Sequence, residues 1–218
     1  VTDQQPLSLA TRVRDELLER LLSGRYAPGA RISIDELKSE YGVSKQPVMD
    51  ALRRLETTGL VQIVPQSGCR VVAYSGQEVA DFFGLFAKFE GEIAATAAQR
   101  RTAEQLRGLA ATSAELAALE AVEDPVELAA GYRRLNRRFH LEIHTMAASR
   151  VMADLSERMW DLSDFLIATA SGDGATSEGV RHRNEEHDLI RTAIGFGEAD
   201  VARAAMESHI RGSIAALG

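Results

Sequence analysis

Five histidines and a short polar run hold most of the side chains with which this 218-residue sequence could do chemistry. Asn136 and His140 are four residues apart, so on a helix they share a face. His187 and His209 fall on two other predicted helices, and a helical bundle would let the three imidazoles converge in its centre. Neutral imidazole binds zinc, nickel and iron, and bundle cores are a recurrent place for such ions. The alternative is three surface or hydrogen-bonded core histidines. His144 is four residues beyond His140 and could be a ligand or a partner of one, with surface or packing as the plainer role. His182, between Arg181 and Arg183, reads as solvated.

The second set is Ser44, Lys45 and Gln46, followed by Met49, Arg53 and Arg54, with Ser67, Gly68 and Arg70 further on. A hydroxyl suits phosphate, a lysine supplies a cation, and a glutamine amide can pair bidentately with adenine. Met49 could touch a thymine methyl or simply pack. Such residues matter only if a helix presents its first turn to a DNA groove, so the elements decide.

Val13, Leu17, Leu18, Leu21 and Leu22 recur at helical spacing and stop at Ser23-Gly24. Tyr26-Ala-Pro-Gly29 is a turn. Ser33 with Glu36 opens a short helix that ends near Gly42, and Ser44 caps a third helix to about Thr58 with Val48, Ala51, Leu52 and Leu55 inward. Two strand-like runs follow, Leu60–Val64 and Arg70–Tyr74. A short helix, a Gly42-Val43 turn and a second helix have the helix-turn-helix layout. The following hairpin would be a wing whose Ser67, Gly68 and Arg70 meet the sugar-phosphate chain. A solvated helix face beside an ordinary hairpin is the bland alternative.

Beyond Ser75 the sequence is a series of amphipathic helices, predicted at about 76–100, 102–122, 125–148, 150–171, 177–195 and 198–217. Ser75 with Glu78, Thr102 with Gln105, and Asp124-Pro125 with Glu127 mark three starts. Ser171-Gly-Asp-Gly174 reads as a flexible connection. Met159, Trp160 and Phe165 follow helical spacing and are explained by core packing. The expected fold is mainly α, with a winged helix-turn-helix at 1–75 and an all-α antiparallel bundle at 76–218.

Composition agrees: 45% apolar and 26% charged residues are globular values. No apolar run is long enough for a membrane helix and no signal pattern opens the chain, so a cytoplasmic protein is expected. The single Cys69 excludes an internal disulfide and any cysteine-based zinc site. The net charge of −7 is unevenly spread. Residues 1–75 carry ten basic and nine acidic side chains, the remainder fifteen and twenty-three, so the acidity lies away from the DNA-facing part.

The run Tyr26-Ala-Pro-Gly-Ala-Arg-Ile32, with Leu37, Gly42-Val-Ser-Lys-Gln-Pro-Val48, Ala51-Leu-Arg-Arg-Leu-Glu56, Gly59-Leu-Val61 and Ser67-Gly68, resembles the GntR family of bacterial transcriptional regulators. Asn136-Arg-Arg-Phe-His140-Leu-Glu-Ile143, Glu186-His187-Asp-Leu-Ile190 and His209-Ile210 resemble the helical FCD domain of its FadR-like branch. The resemblance implies a dimeric operator binder with DNA contacts at Ser44, Lys45, Gln46, Arg53 and the wing. It also implies a divalent metal, zinc or nickel, at His140, His187 and His209, with an effector carboxylate nearby.

Three departures qualify the resemblance. Met49-Asp50 replaces the usual Arg-Glu, and Asn136 replaces an aspartate ligand, a weaker donor. Phe86 stands four residues before Glu90 where an arginine is usual, which removes a paired contact for an anionic effector. Phe86 and Glu90 are therefore the nominated effector-pocket positions, with Lys88 on another helical face. The expected function is a repressor of transcription controlled by a small effector, not an enzyme. The competing readings are a metal-dependent enzyme built on the three histidines, with Glu142, Glu185 and Glu186 nearby but no H-E-x-x-H motif, and a helical interaction module.

Overall fold

The computed structural model describes residues 8–65, 68–170 and 176–215. Helix α1 (Leu9–Leu22) is capped by Ser8, whose hydroxyl accepts from the Thr11 amide, and it buries Val13, Leu17, Leu21 and Leu22. Helix α2 (Ile34–Tyr41) starts at Ser33, whose hydroxyl accepts from the Glu36 amide at 3.3 Å. It stops at Gly42, whose φ of 62° is the left-handed conformation a glycine adopts without steric cost. Helix α3 (Lys45–Thr57) buries Val48, Ala51, Leu52 and Leu55, and packs on α1 and α2.

Among the described residues three strands follow the order β1-β3-β2, with β1 at Arg31–Ile32, β2 at Val61–Val64 and β3 at Gly68–Val71. Both pairings are antiparallel, with Ile32 and Ile63 each opposite Cys69. The second strand-like run of the sequence is thus displaced: the strand begins at Gly68 and ends at Val71, before Tyr74. The Val72 amide still donates to the Leu60 carbonyl at 3.1 Å, but beyond it the strand has ended, and the Tyr74 hydroxyl donates to the Gly59 carbonyl at 2.8 Å. Strand β1 went unread because two residues show no alternation; it exists only through its pairing with β3.

The remaining helices are α4 (Gly76–Arg100), α5 (Ala103–Ala118), α6 (Pro125–Ala147), α7 (Arg150–Ala170), α8 (Ser177–Phe196) and α9 (Ala199–Ala215). Their starts are chemically marked. Ser75 and Glu78 exchange hydrogen bonds, Thr102 and Gln105 form a complete capping box, and Asp124 accepts from the amides of Val126 and Glu127. The last turn expected of α5 tightens into a 3₁₀ turn at Leu119–Ala121. Helix α8 packs on α9 and on α5, and α5 on α6. Among the described residues no helix is long and apolar enough to cross a membrane.

Among the described residues two compact units emerge, one of residues 8–65 and 68–79 with 158–170, the other of 80–157 with 176–215. In the first, α1 to α3 and the sheet enclose Leu17, Leu21, Leu52 and Leu60. Trp160 and Phe165 of α7 are also buried, at 4% and 1% exposure. In the second, Phe83, Phe86, Ile93, Phe139 and Ile190 form the apolar core around a set of polar side chains. Residues 171–174, expected as a flexible connection, lie outside the described residues.

Candidate functional site

Ser44, Lys45 and Gln46 are all exposed at the first turn of α3. Ser44 occupies the position before the helix, yet its side chain makes no capping hydrogen bond. Its hydroxyl is therefore not spent on its own helix, which differs from the capping role expected. Gln46 Nε2 donates to Asp50 Oδ1 at 2.9 Å, and the same oxygen accepts from Arg53 at 3.2 Å. Met49 is half-buried beside them. Arg54 turns toward α1 and reaches Thr11 Oγ1 at 3.3 Å.

In the hairpin, Arg70 is exposed and its guanidinium reaches the Gly29 carbonyl at 3.4 Å. Gly68 has φ of 100°, with no atom closer than 3.8 Å to where a Cβ would stand, so the backbone conformation, rather than crowding, calls for glycine. Ser67 lies outside the described residues.

The second unit brings His140, His187 and His209 together: one ring nitrogen from each lies within 4.8 Å of the others. All three are buried, at 0%, 1% and 2% exposure. The rings of His187 and His209 are 4.5 Å apart, and Phe139 covers His187 at 4.4 Å. Burial and the neighbouring imidazoles hold His140 and His187 well below the ordinary imidazole range, and burial followed by the Arg183 cation does the same to His209. Both effects favour the neutral form of all three rings.

Neutral imidazoles are the protonation state a metal ion requires. Their surroundings fit one. Both ring nitrogens of His187 are buried without a hydrogen-bond partner among the described residues, an arrangement that costs about 1–3 kcal/mol for each unsatisfied group. His209 Nδ1 lies 2.9 Å from Glu186 Oε2, an acidic acceptor that keeps the ring proton on Nδ1 and leaves the Nε2 lone pair inward. Glu186 is held in turn by Arg183 at 2.8 Å, and Arg183 also donates to the His209 carbonyl and to Ser213 Oγ. A divalent ion would be held by His140, His187 and His209.

Asn136 stands one turn before His140, and its Oδ1 accepts from Tyr132 Oη at 3.3 Å. Phe86 and Glu90 are neighbours on one face of α4, both at 0% exposure. Phe86 stacks on Phe82 with ring centres 5.5 Å apart. Glu90 Oε1 accepts from Ser156 at 2.6 Å, and Glu90 Oε2 lies 2.9 Å from His144 Nε2 and 3.8 Å from His140 Nδ1. Lys88 points elsewhere and pairs with Glu207 at 2.7 Å.

Ser156, Arg183 and Phe139 were not singled out from the sequence, and His144 was read there mainly as surface or packing. The only available signal was helical phase, which places His144 one turn after His140.

Residues 9–71 match the family described as "Bacterial regulatory proteins, gntR family", and residues 82–212 match the FCD domain. The chain is 24% identical over 191 residues to the HTH-type transcriptional repressor GlaR of Escherichia coli (strain K12), covering 87% of each protein. It is 23% identical over 209 residues to a probable D-xylose utilization operon transcriptional repressor of Paenarthrobacter nicotinovorans, covering 93% of this chain and 86% of that protein. The solved structure of E. coli McbR/YncC superposes with a TM-score of 0.81 at 21% identity, over 97% of this chain and 98% of that one.

Proposed function

We propose, for a chain that belongs to the gntR family of bacterial regulatory proteins and carries an FCD domain, a homodimeric, cytoplasmic repressor whose grip on operator DNA is set by a small molecule in its helical core. The observation that carries the DNA half is the exposed first turn of α3, where Ser44, Lys45 and Gln46 stand together and the Ser44 hydroxyl is left to a phosphate. Residues 1–75 form the reading domain, with Met49, Arg53, Ser67, Gly68 and Arg70 completing the contact surface. Two copies related by a two-fold axis match a palindromic operator.

Residues 76–218 form the sensor and the dimer contact. His140, His187 and His209 hold a zinc or nickel ion, with Asn136 as a weaker neighbouring donor. When bound, such an ion supplies a Lewis acid that anchors an effector oxygen, a carboxylate being the expected class. Phe86 contributes an apolar wall, and Glu90 lies beneath the cluster. Effector binding changes operator affinity only through a preference for one of two arrangements of the reading domains.

Each acidic group near the histidines is tied by hydrogen bonds, Glu90 to Ser156 and His144 among them, which supports a binding role over a hydrolytic one. Glu142 is held by Thr112 and Arg138, and Glu186 by His209 and Arg183. Selection of bound duplexes from a random pool tests the reading directly. The expected result is enrichment of an inverted repeat; failure to enrich any sequence would sink it.

A further inference from the structure

We infer that Glu90 is the positioning residue of the three-histidine cluster: locked by Ser156 and His144, it orients His140 through Nδ1 and supplies the negative charge that the cluster itself lacks. The inference rests on reading that cluster as a metal site.

Glu90 is a carboxyl group at 0% exposure. Among the described residues no lysine or arginine lies within ion-pair distance of it; its partners are the imidazoles of His144 and His140 and the hydroxyl of Ser156. A buried carboxylate is costly unless hydrogen bonds and opposite charge offset the loss of water. Two hydrogen-bonding partners are present at 2.6 and 2.9 Å, and no fixed cation is. The missing positive charge would come from the ion one imidazole away.

Geometry fixes the direction of the effect. Ser156 on α7 and His144 on α6 pin one oxygen each, so Oε2 can move little. That oxygen is 3.8 Å from His140 Nδ1, too long for a hydrogen bond, yet a small rotation of the imidazole would close it. A carboxylate on Nδ1 keeps the proton there and makes Nε2 the better donor to a metal. His209 already has this arrangement with Glu186 at 2.9 Å. Two of the three imidazoles would then each be backed by a carboxylate from a different helix, which compensates for the neutral Asn136.

The test is cobalt(II) binding to the full-length chain after chelator treatment, followed by visible absorption and competition with zinc. Wild type should bind, and Glu90→Gln should lower the affinity about 10- to 100-fold. Ser156→Ala and His144→Gln keep the carboxyl but unlock it; each should weaken binding by about tenfold or less, and they serve where Glu90→Gln does not fold. Glu186→Gln should resemble Glu90→Gln. Thermal melting of the chelated proteins separates the roles. A lower melting temperature with unchanged cobalt affinity would make Glu90 merely structural and overturn the inference, while the metal reading stood. Absence of cobalt and zinc binding by wild type would overturn both.

Discussion

Gln46 donates to Asp50 across one turn of α3, at 2.9 Å, so the amide nominated to read a base is already engaged in the protein alone. Arg53 shares the same acceptor oxygen. Asp50 thus holds two side chains proposed to face DNA and would add a negative charge beside the phosphates. Asp50→Ala should tighten binding to non-cognate duplex by up to about tenfold, through lost repulsion, and should reduce discrimination between cognate and random sequence. Fluorescence anisotropy at fixed salt measures both. Equal affinities for the variant and wild type would refute the role.

Substitutions at Lys45 and Gln46 should separate charge from sequence readout. Lys45→Ala should weaken binding to most duplexes and flatten the slope of log affinity against log salt by about one. Gln46→Ala should relax preference at one base position, costing about 1–3 kcal/mol of discrimination there. Titrations at several salt concentrations check the first and repeated selection the second; interchange of the two phenotypes would contradict the assignment.

Metal removal should be visible in stability. Zinc or nickel added to the chelated chain at a hundred times its dissociation constant should stabilise it by about 2.7 kcal/mol. His187→Ala should abolish most of that gain, since it removes a proposed ligand whose ring nitrogens have no hydrogen-bond partner among the described residues. Differential scanning calorimetry with and without ion is the measurement, and an unchanged gain in the variant is the contrary outcome.

The chelated chain should lose stability in mild acid. His140, His187 and His209 are held neutral in the folded state, below their unfolded values, mainly by burial. As pH falls through the ordinary imidazole range, the unfolded chain takes up protons that the folded chain refuses. Each such histidine then removes about 1.4 kcal/mol per pH unit until its folded value is reached. The contribution is intact above neutrality and lost below it. Denaturant melts between pH 7.5 and 5.5, values at about one unit either side of the ordinary imidazole pKa, should show a slope that disappears in a variant lacking all three.

Ala148 ends α6 with φ of 47°, and it is the non-glycine residue with positive φ among the described residues. Ala148→Gly should stabilise the chain by about 1 kcal/mol, because the left-handed conformation strains a Cβ. Urea unfolding would show it, and a loss of stability would mean that the alanine methyl contributes more than the strain costs.

Helix ends were readable because their signals are local. Ser33, Thr102 and Asp124 cap their helices through atoms two or three residues away, so type and spacing suffice. Strand β1 was not readable, because Arg31 and Ile32 become a strand only opposite Arg70 and Cys69. The same holds in the core. His140, His187 and His209 could be nominated from helical phase and family resemblance. The Glu90–His144–Ser156 contact needs three helices to meet at a given rotation, which no periodicity specifies. Asp50 was visible as an unusual residue, but its engagement of Gln46 depends on rotamers.

Cys69 sits in the middle strand of the small sheet, 1% exposed, with its thiol pushed up to about 11 by burial. It is the sole cysteine of the sequence. Thiolate is the reactive species, so burial and the raised thiol pKa slow alkylation while the sheet is closed. The labelling rate of the native protein therefore reports on opening of the sheet, giving the hairpin a built-in probe that needs no engineered residue.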